Sequence, residues 1–194
     1  MWIAVDVDNT VANTNLELVR MFKISLKKYP APEVPPEFFY GSEGMQLFQK
    51  AEPFPRAAET LKTLAELGYR IAYISSRPGD ALFLTVRWLQ KHGFPADQVL
   101  CGLDRRGKVE VATKELQVVA VFEDDPVLAA ALLNKVPALW LKDWPYNRKL
   151  PAGKGARWNA GRVIRFRAWG EVEKAVVTSN PDLAAITRGK GERE

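Results

Sequence analysis

Trp2-Ile3-Ala4-Val5-Asp6-Val7-Asp8-Asn9-Thr10 is the stretch that decides how this chain folds. The apolar run Trp2-Ile3-Ala4-Val5 predicts a buried strand over 2–6, and that strand ends in two carboxylates two residues apart. Buried charge is costly unless it is paired or binds metal, so a core strand that ends this way points to an acidic site at its tip. Strand side chains alternate sides, which puts Asp6 and Asp8 on one side if the strand continues. Like charges so close raise each other's pKa unless a cation compensates, and Mg²⁺ suits an oxygen-rich site. In chemical terms Asp6 can attack a phosphorus atom and form an aspartyl-phosphate. Asp8 can protonate the leaving oxygen and then deprotonate an attacking water. The competing structural reading is a helix start capped by Asp8, Asn9 or Thr10.

Two further strand ends carry the same kind of signal. Ile71-Ala72-Tyr73-Ile74 predicts a second buried strand over 70–74, which ends in Ser75-Ser76-Arg77-Pro78. A hydroxyl there can hydrogen-bond a phosphate oxygen, although turn chemistry alone accounts for Ser75. Val118 to Phe122 predicts another strand, followed by Glu123-Asp124-Asp125-Pro126. Asp125 fits a cap for a helix that begins at Pro126, but capping leaves the run of acids before it unexplained. Ligands of parallel α/β sheets bind beyond the carboxyl ends of the strands, where these polar ends would meet. A cation is expected just ahead of the third strand. Lys108 is preferred, because Gly107-Lys108 opens a predicted helix over 108–116 whose free N–H groups favour an anion. Lys114 is the alternative, and either could be an ordinary solvated lysine.

The remaining pattern alternates. Helices are expected over 56–67, stopped by Gly68, over 80–91, ended at Gly93, and over 126–134; strands are expected over 98–101 and 138–141. Such alternation predicts an α/β fold, three-layered and Rossmann-like, with a mainly parallel sheet between helices. The core is expected over 1–12 and 51–178, with a polar tail over 179–194. Between the core pieces lies an insertion over 13–50. Leu16-x-x-Val19-x-x-Phe22, with Ile24 and Leu26, suggests one helix there, and Pro30, Pro32, Pro35 and Pro36 break it. Phe38-Phe39-Tyr40 and a short helix over 43–49 follow.

Taken in order, Asp6-Val7-Asp8-Asn9-Thr10, Ser75, a lysine and Glu123-Asp124-Asp125 resemble the haloacid dehalogenase (HAD) superfamily of phosphohydrolases over residues 1–141. The resemblance implies Asp6 as nucleophile and Asp8 as general acid and base. It implies Thr10, Ser75, Ser76 and Lys108 (or Lys114) at the phosphate. It also implies Mg²⁺ held by Asp6, the backbone carbonyl of Asp8 and Asp124, with Asp125 one layer further out. Glu123 is set aside as one residue too early for the metal. An acid at the Asp8 position marks the phosphatase and phosphotransferase branches. A narrower resemblance, to the 5′(3′)-deoxyribonucleotidases, rests on Trp144-Pro145-Tyr146-Asn147-Arg148, then Arg162-Val163 and Trp169-Gly170-Glu171-Val172. It implies a nucleoside monophosphate substrate, a final helix, and a small helical cap formed by the insertion. In that cap Phe38, Phe39 and Tyr40 could stack on a base, which contributes roughly 1–3 kcal/mol per base in single-strand binders. Packing into the cap's own small core is the competing reading, favoured for Phe39.

Composition narrows the function class. The chain has 194 residues, 47% hydrophobic and 26% charged, with one cysteine and one histidine. A zinc site or a Ser-His triad is therefore not expected. The lone Cys101 suits a reducing cytoplasm, and no apolar run reaches transmembrane length. A net charge of +5 suits a phosphorylated substrate. Basic and aromatic residues gather over 144–169, which raises a second hypothesis: a phosphatase of nucleic-acid ends. Aromatics packed back onto the core are the favoured reading of that segment. A third hypothesis is a non-catalytic phosphoryl-binding module. Oligomeric state is not written in the sequence.

Overall fold

β1 (Trp2–Val5) lies inside a six-stranded sheet of order β3-β2-β1-β4-β5-β6, in a computed structural model that describes residues 1–150 and 163–179. Its companions are β2 (Arg70–Ile74), β3 (Gln98–Leu100), β4 (Ala120–Glu123), β5 (Ala138–Lys142) and β6 (Val163–Phe166). Every pairing is parallel. Val5 sits opposite both Tyr73 of β2 and Phe122 of β4, so the strand ends that carry Asp6, Ser75 and Glu123 finish at about one level.

Alternation along the strands makes the two faces. Ile3, Val5, Tyr73, Phe122 and Trp140 pack with Leu61 and Leu64 of α3 (Ala57–Glu66) and with Trp169 and Val172 of α7 (Trp169–Ser179). Ala4, Val121, Leu139 and Leu141 face the other way, toward Val111 and toward Leu128 and Leu132 of α6 (Pro126–Leu132). The result is the expected three-layer α/β arrangement. Tyr73 is wholly buried and, among the described residues, its hydroxyl has no hydrogen-bond partner. An unsatisfied buried hydroxyl costs more than a bare ring, so Tyr73→Phe should raise stability by about 1 kcal/mol in urea unfolding.

The insertion holds α1 (Thr14–Phe22), a 3₁₀ turn over Pro36–Tyr40 and α2 (Ser42–Lys50). Leu18, Ile24, Val34, Phe38, Leu47 and Phe48 form a third hydrophobic cluster, separate from the two sheet faces. The 3₁₀ turn lies so close to α2 that a β-carbon on Gly44 would collide with the Phe38 carbonyl. At its base the insertion is pinned to itself. Ala12 bridges Pro53, Asn13 N–H donates to Glu52 O at 2.8 Å, and Phe54 N–H donates to Val11 O at 2.8 Å.

Several boundaries differ from the sequence reading. The helix expected over 108–116 begins earlier, as α5 (Arg105–Glu110), because the Asp104 side chain caps it by accepting from Gly107 N–H at 2.7 Å. It continues into a π turn over Val111–Glu115. The expected helix over 80–91 is a 3₁₀ turn followed by α4 (Leu82–Lys91). The expected helix over 126–134 stops at Leu132, and Asn134 takes a left-handed φ of 63°. β6 extends the sheet by a strand that the sequence reading did not include. Of the basic-aromatic segment, Lys154, Arg157, Trp158 and Arg162 lie outside the described residues, as does the tail beyond Ser179.

Candidate active site

Asp6 continues the β1 ladder by donating its N–H to Phe122 O at 2.9 Å, and its side chain is only 6% exposed. One carboxylate oxygen accepts from Lys108 Nζ at 2.5 Å and the other from Thr10 Oγ at 3.2 Å. Lys108 comes from the interior of α5, and its own N–H is taken by Asp104 O at 2.9 Å. The expected pairing of its ammonium with free N–H groups therefore does not hold. What Lys108 brings is a buried charge, shared between Asp6 and Glu123 Oε2 at 3.4 Å. Lys114 points elsewhere: its side chain is exposed and pairs with Glu110 one helical turn away.

Glu123 ends β4 and folds back on the following turn. Its Oε1 accepts from Asp124 N–H at 2.9 Å and Asp125 N–H at 3.0 Å. Carboxylate oxygens of Asp6, Glu123 and Asp124 all lie within 4.8 Å of one another. Burial, and then the charge of Glu123, push Asp6 up to about 8 against the pull of Lys108. Burial and the charge of Asp6 likewise hold Asp124 well above the usual carboxylate range. Burial would discharge Lys108, but Asp6 and Glu123 keep its ammonium protonated. So much negative charge around one ammonium, with only oxygen ligands, is a donor set that fits Mg²⁺.

Asp8 is held differently. The strand stops at Val5 and Asn9 takes a φ of 63°, so Asp6 and Asp8 do not share a strand face. Asp8 accepts a two-pronged ion pair from Arg77, Nη2 at 2.8 Å and Nε at 2.9 Å, and a third bond from Thr14 Oγ at 2.5 Å. Burial would raise its pKa, but Arg77, with Thr14 and Lys108, holds the carboxyl below the usual range. Arg77 also donates to Thr85 Oγ at 3.2 Å and lies 4.4 Å from the ring centre of Phe48 on α2.

These groups open on a cavity of about 510 Å³ between the strand ends and the insertion. Asp6, Asp8, Ser76, Arg77 and Lys108 line it, facing Tyr29, Phe39, Tyr40 and Phe48. Ser75 is fully buried, and its hydroxyl accepts from Arg77 N–H at 3.1 Å, so it shapes the turn. Thr10 reaches Asp6 but is absent from the wall. The three adjacent cap aromatics divide. Phe38 is buried edge-on against Phe22 in the insertion's own core, Phe39 packs against that core and also lines the cavity, and Tyr40 lines the cavity.

Asp124 and Asp125 separate clearly. Asp125 caps α6, accepting from Val127 N–H at 2.8 Å and Leu128 N–H at 3.3 Å, and pairs with Arg105 at 2.5 Å. Asp124 joins Asp6 and Glu123. Asp124→Ala should therefore weaken Mg²⁺ binding by at least about tenfold. Asp125→Ala should cost about 1 kcal/mol of stability through the lost cap and change Mg²⁺ affinity less. Calorimetric Mg²⁺ titration and thermal melts of both variants check the pair of outcomes.

Sequence reasoning missed Arg77, Tyr29, Arg105 and Tyr146 as parts of this site, and set aside Glu123, which stands with Asp6 and Asp124. Arg77 stood in a quoted strand-end motif without an assigned role. Tyr146 stood in the Trp144–Arg148 element, and nothing local ties Tyr29 or Arg105 to the acids.

A family model described as PITM 1-3, LNS2 domain matches residues 42–127, less than half of the chain. A provisionally named nucleotidase of Oceanobacillus iheyensis is 32% identical over 97 residues, 49% of this chain and 51% of that protein. The chain thus spans about half the length of that curated relative. Among solved structures, a provisionally named haloacid dehalogenase-like hydrolase from Bacteroides fragilis matches with a TM-score of 0.58 at 15% identity. The match covers 88% of this chain and 98% of that one. D,D-heptose 1,7-bisphosphate phosphatase from B. bronchiseptica, solved with magnesium and phosphate, matches with a TM-score of 0.53 at 12% identity. Here 92% of this chain and 98% of that one are covered. The chain has the haloacid dehalogenase-like α/β fold. Among the described residues, no helix is long and apolar enough to cross a membrane.

Proposed function

We propose that this chain, built on the haloacid dehalogenase-like fold, is a Mg²⁺-dependent phosphomonoesterase of nucleoside monophosphates that works through an aspartyl-phosphate. The observation that carries the reading is Asp6: a buried carboxylate at the tip of an inner strand, paired to Lys108 and facing a cavity. In the first step an Asp6 oxygen attacks phosphorus, the bond from phosphorus to the leaving oxygen breaks, and Asp8 supplies the proton that oxygen needs. In the second, water attacks the same phosphorus while Asp8 takes its proton, and the bond to Asp6 breaks to release phosphate. Arg77 fixes the orientation of Asp8 and favours its ionised form, the state Asp8 has after giving up its proton in the first step and before taking one from water in the second. Lys108 faces the charge that builds on the transferred group. Asp6, Asp124 and the Asp8 carbonyl would hold Mg²⁺, with Glu123 beside them, and the ion supplies charge neutralisation at the phosphoryl oxygens.

The nucleotide assignment draws on the nucleotidase-like relative and on the aromatic cavity wall of Tyr29, Phe39, Tyr40 and Phe48. Phosphate release from a panel of nucleoside monophosphates, sugar phosphates and p-nitrophenyl phosphate, with and without Mg²⁺, tests both levels. Activity on sugar phosphates alone would overturn the substrate, and none on any compound would overturn the enzyme.

A second reading, a phosphatase of polynucleotide ends, has one observation in its favour. Asp143 is surrounded by Arg148, Arg165 and Arg167, which leaves local positive charge in excess. An end-phosphorylated oligonucleotide preferred over its mononucleotide, with a steep fall in rate as salt rises, would favour that reading.

A further inference from the structure

Past the end of β5 the chain makes a 3₁₀ turn, Pro145–Asn147, that grips Asp124 twice. The Tyr146 hydroxyl donates to Asp124 Oδ2, and Asn147 Nδ2 donates to the Asp124 carbonyl at 2.8 Å. Asn147 is wholly buried and is itself fixed. Its amide also donates to Lys142 O at 2.8 Å, and Arg165 of β6 donates to its Oδ1 at 2.5 Å and its carbonyl at 3.0 Å. Behind Tyr146, Trp144 stacks at 5.9 Å with an interplanar angle of 10°, and Trp144 Nε1 donates to Asn9 O at 2.9 Å. In front of it lies Tyr29 from the insertion, its ring centre 4.9 Å away. The turn thus joins the acid that follows β4, the loop after β1 and the cap. Nothing in the reaction proposed above uses it.

We propose that Tyr146 is a positioning residue that sets the rotation of the Asp124 carboxylate for Mg²⁺ capture, and that Tyr29 packed on its ring makes metal affinity depend on where the cap loop sits. The proposal rests on the reading of Asp124 as a metal ligand. A carboxylate whose second oxygen is hydrogen-bonded is pre-oriented, and removing such outer partners typically costs about 10- to 100-fold in metal affinity. A hydroxyl on the turn serves this purpose better than a backbone amide, because the ring that carries it can be moved by whatever packs against it. Among the described residues, Tyr29 is the only cap aromatic ring that packs against it.

Calorimetric titration of Mg²⁺ into the substrate-free protein, with a thermal melt of each variant, tests the idea. Tyr146→Phe, which removes only the hydroxyl, should weaken Mg²⁺ binding by roughly tenfold with little change in melting temperature. Tyr29→Ala should weaken it by a smaller factor, and Tyr29→Ala added to Tyr146→Phe should cost nothing more, since both act through one hydroxyl. Unchanged affinity in Tyr146→Phe overturns the positioning role, as does a lowered melting temperature with affinity intact. Additive losses in the double variant overturn the link to the cap. Asp124→Ala separates this idea from its premise. If that variant binds Mg²⁺ as the wild type does, the metal reading fails; if it does not and Tyr146→Phe still binds normally, only the positioning role fails.

Discussion

Asp6→Asn should lower kcat by roughly 10⁴- to 10⁶-fold, the scale of loss when a covalent nucleophile is removed. The amide keeps the volume of the side chain; its oxygen can still accept from Lys108, and its NH2 can donate to the Thr10 hydroxyl, so the packing at the tip of β1 is undisturbed. What it cannot do is form the acyl-phosphate. Stability should hold, because the substitution removes one negative charge from a group in which Asp6, Glu123 and Asp124 crowd a single buried ammonium. Steady-state phosphate release at saturating Mg²⁺, with a circular-dichroism melt, checks both halves. Residual turnover of a tenth or more would remove Asp6 from the nucleophile's role, and so would a loss of activity that merely tracks a loss of fold.

Lys108→Ala is the second large effect, and it should act on stability as well as on rate. The side chain is 5% exposed and its ammonium is paired to Asp6 and Glu123. Removing one partner of a buried ion pair leaves uncompensated charge and typically costs about 3–5 kcal/mol. Catalysis should fall by roughly 10²- to 10³-fold, as when one group facing transition-state charge is lost. Added Mg²⁺ should restore part of the stability, because a dication would neutralise the same carboxylates. Lys114→Ala should stay within about 0.5 kcal/mol of wild type, as exposed surface positions do. Urea unfolding with and without Mg²⁺, together with kinetics, compares the two. Equal losses in both variants would contradict the placement of charge described here.

Much of the fold could be read from the chain because the strands are short apolar runs closed by polar clusters. Ile71 to Ile74 and Val118 to Phe122 announce themselves this way, and observed boundaries fall within a residue or two of expectation. β6 was illegible for a physical reason. Val163-Ile164-Arg165-Phe166 follows a basic stretch and carries an arginine, and its strand character comes from pairing with β5. The start of α5 was misplaced because Asp104 caps it across Arg105 and Arg106, two residues that look like ordinary loop charges.

In the site, Asp6, Asp8 and the acids after β4 were visible as local clusters. Arg77 was not, since its partner Asp8 is 69 residues away in sequence. The same holds for Tyr146, which meets Asp124 across 22 residues. Phe38 and Phe39 could not be told apart because adjacent residues on a 3₁₀ turn point in different directions, and no periodicity says which direction is inward.

The pinned base of the insertion has a consequence for how such a protein changes over generations. Asn13 and Glu52, and Val11 and Phe54, are joined by backbone hydrogen bonds that owe nothing to side-chain identity. The chain therefore enters and leaves the insertion through a closed neck, and the length or sequence between its two ends can drift with little shift of the strand that carries Asp6. Closing a longer loop is cheap, about 0.6 kcal/mol for each doubling. Mutations that alter which molecule fits over the acids can therefore accumulate in one stretch of the gene, while the reacting groups remain under separate selection in the rest.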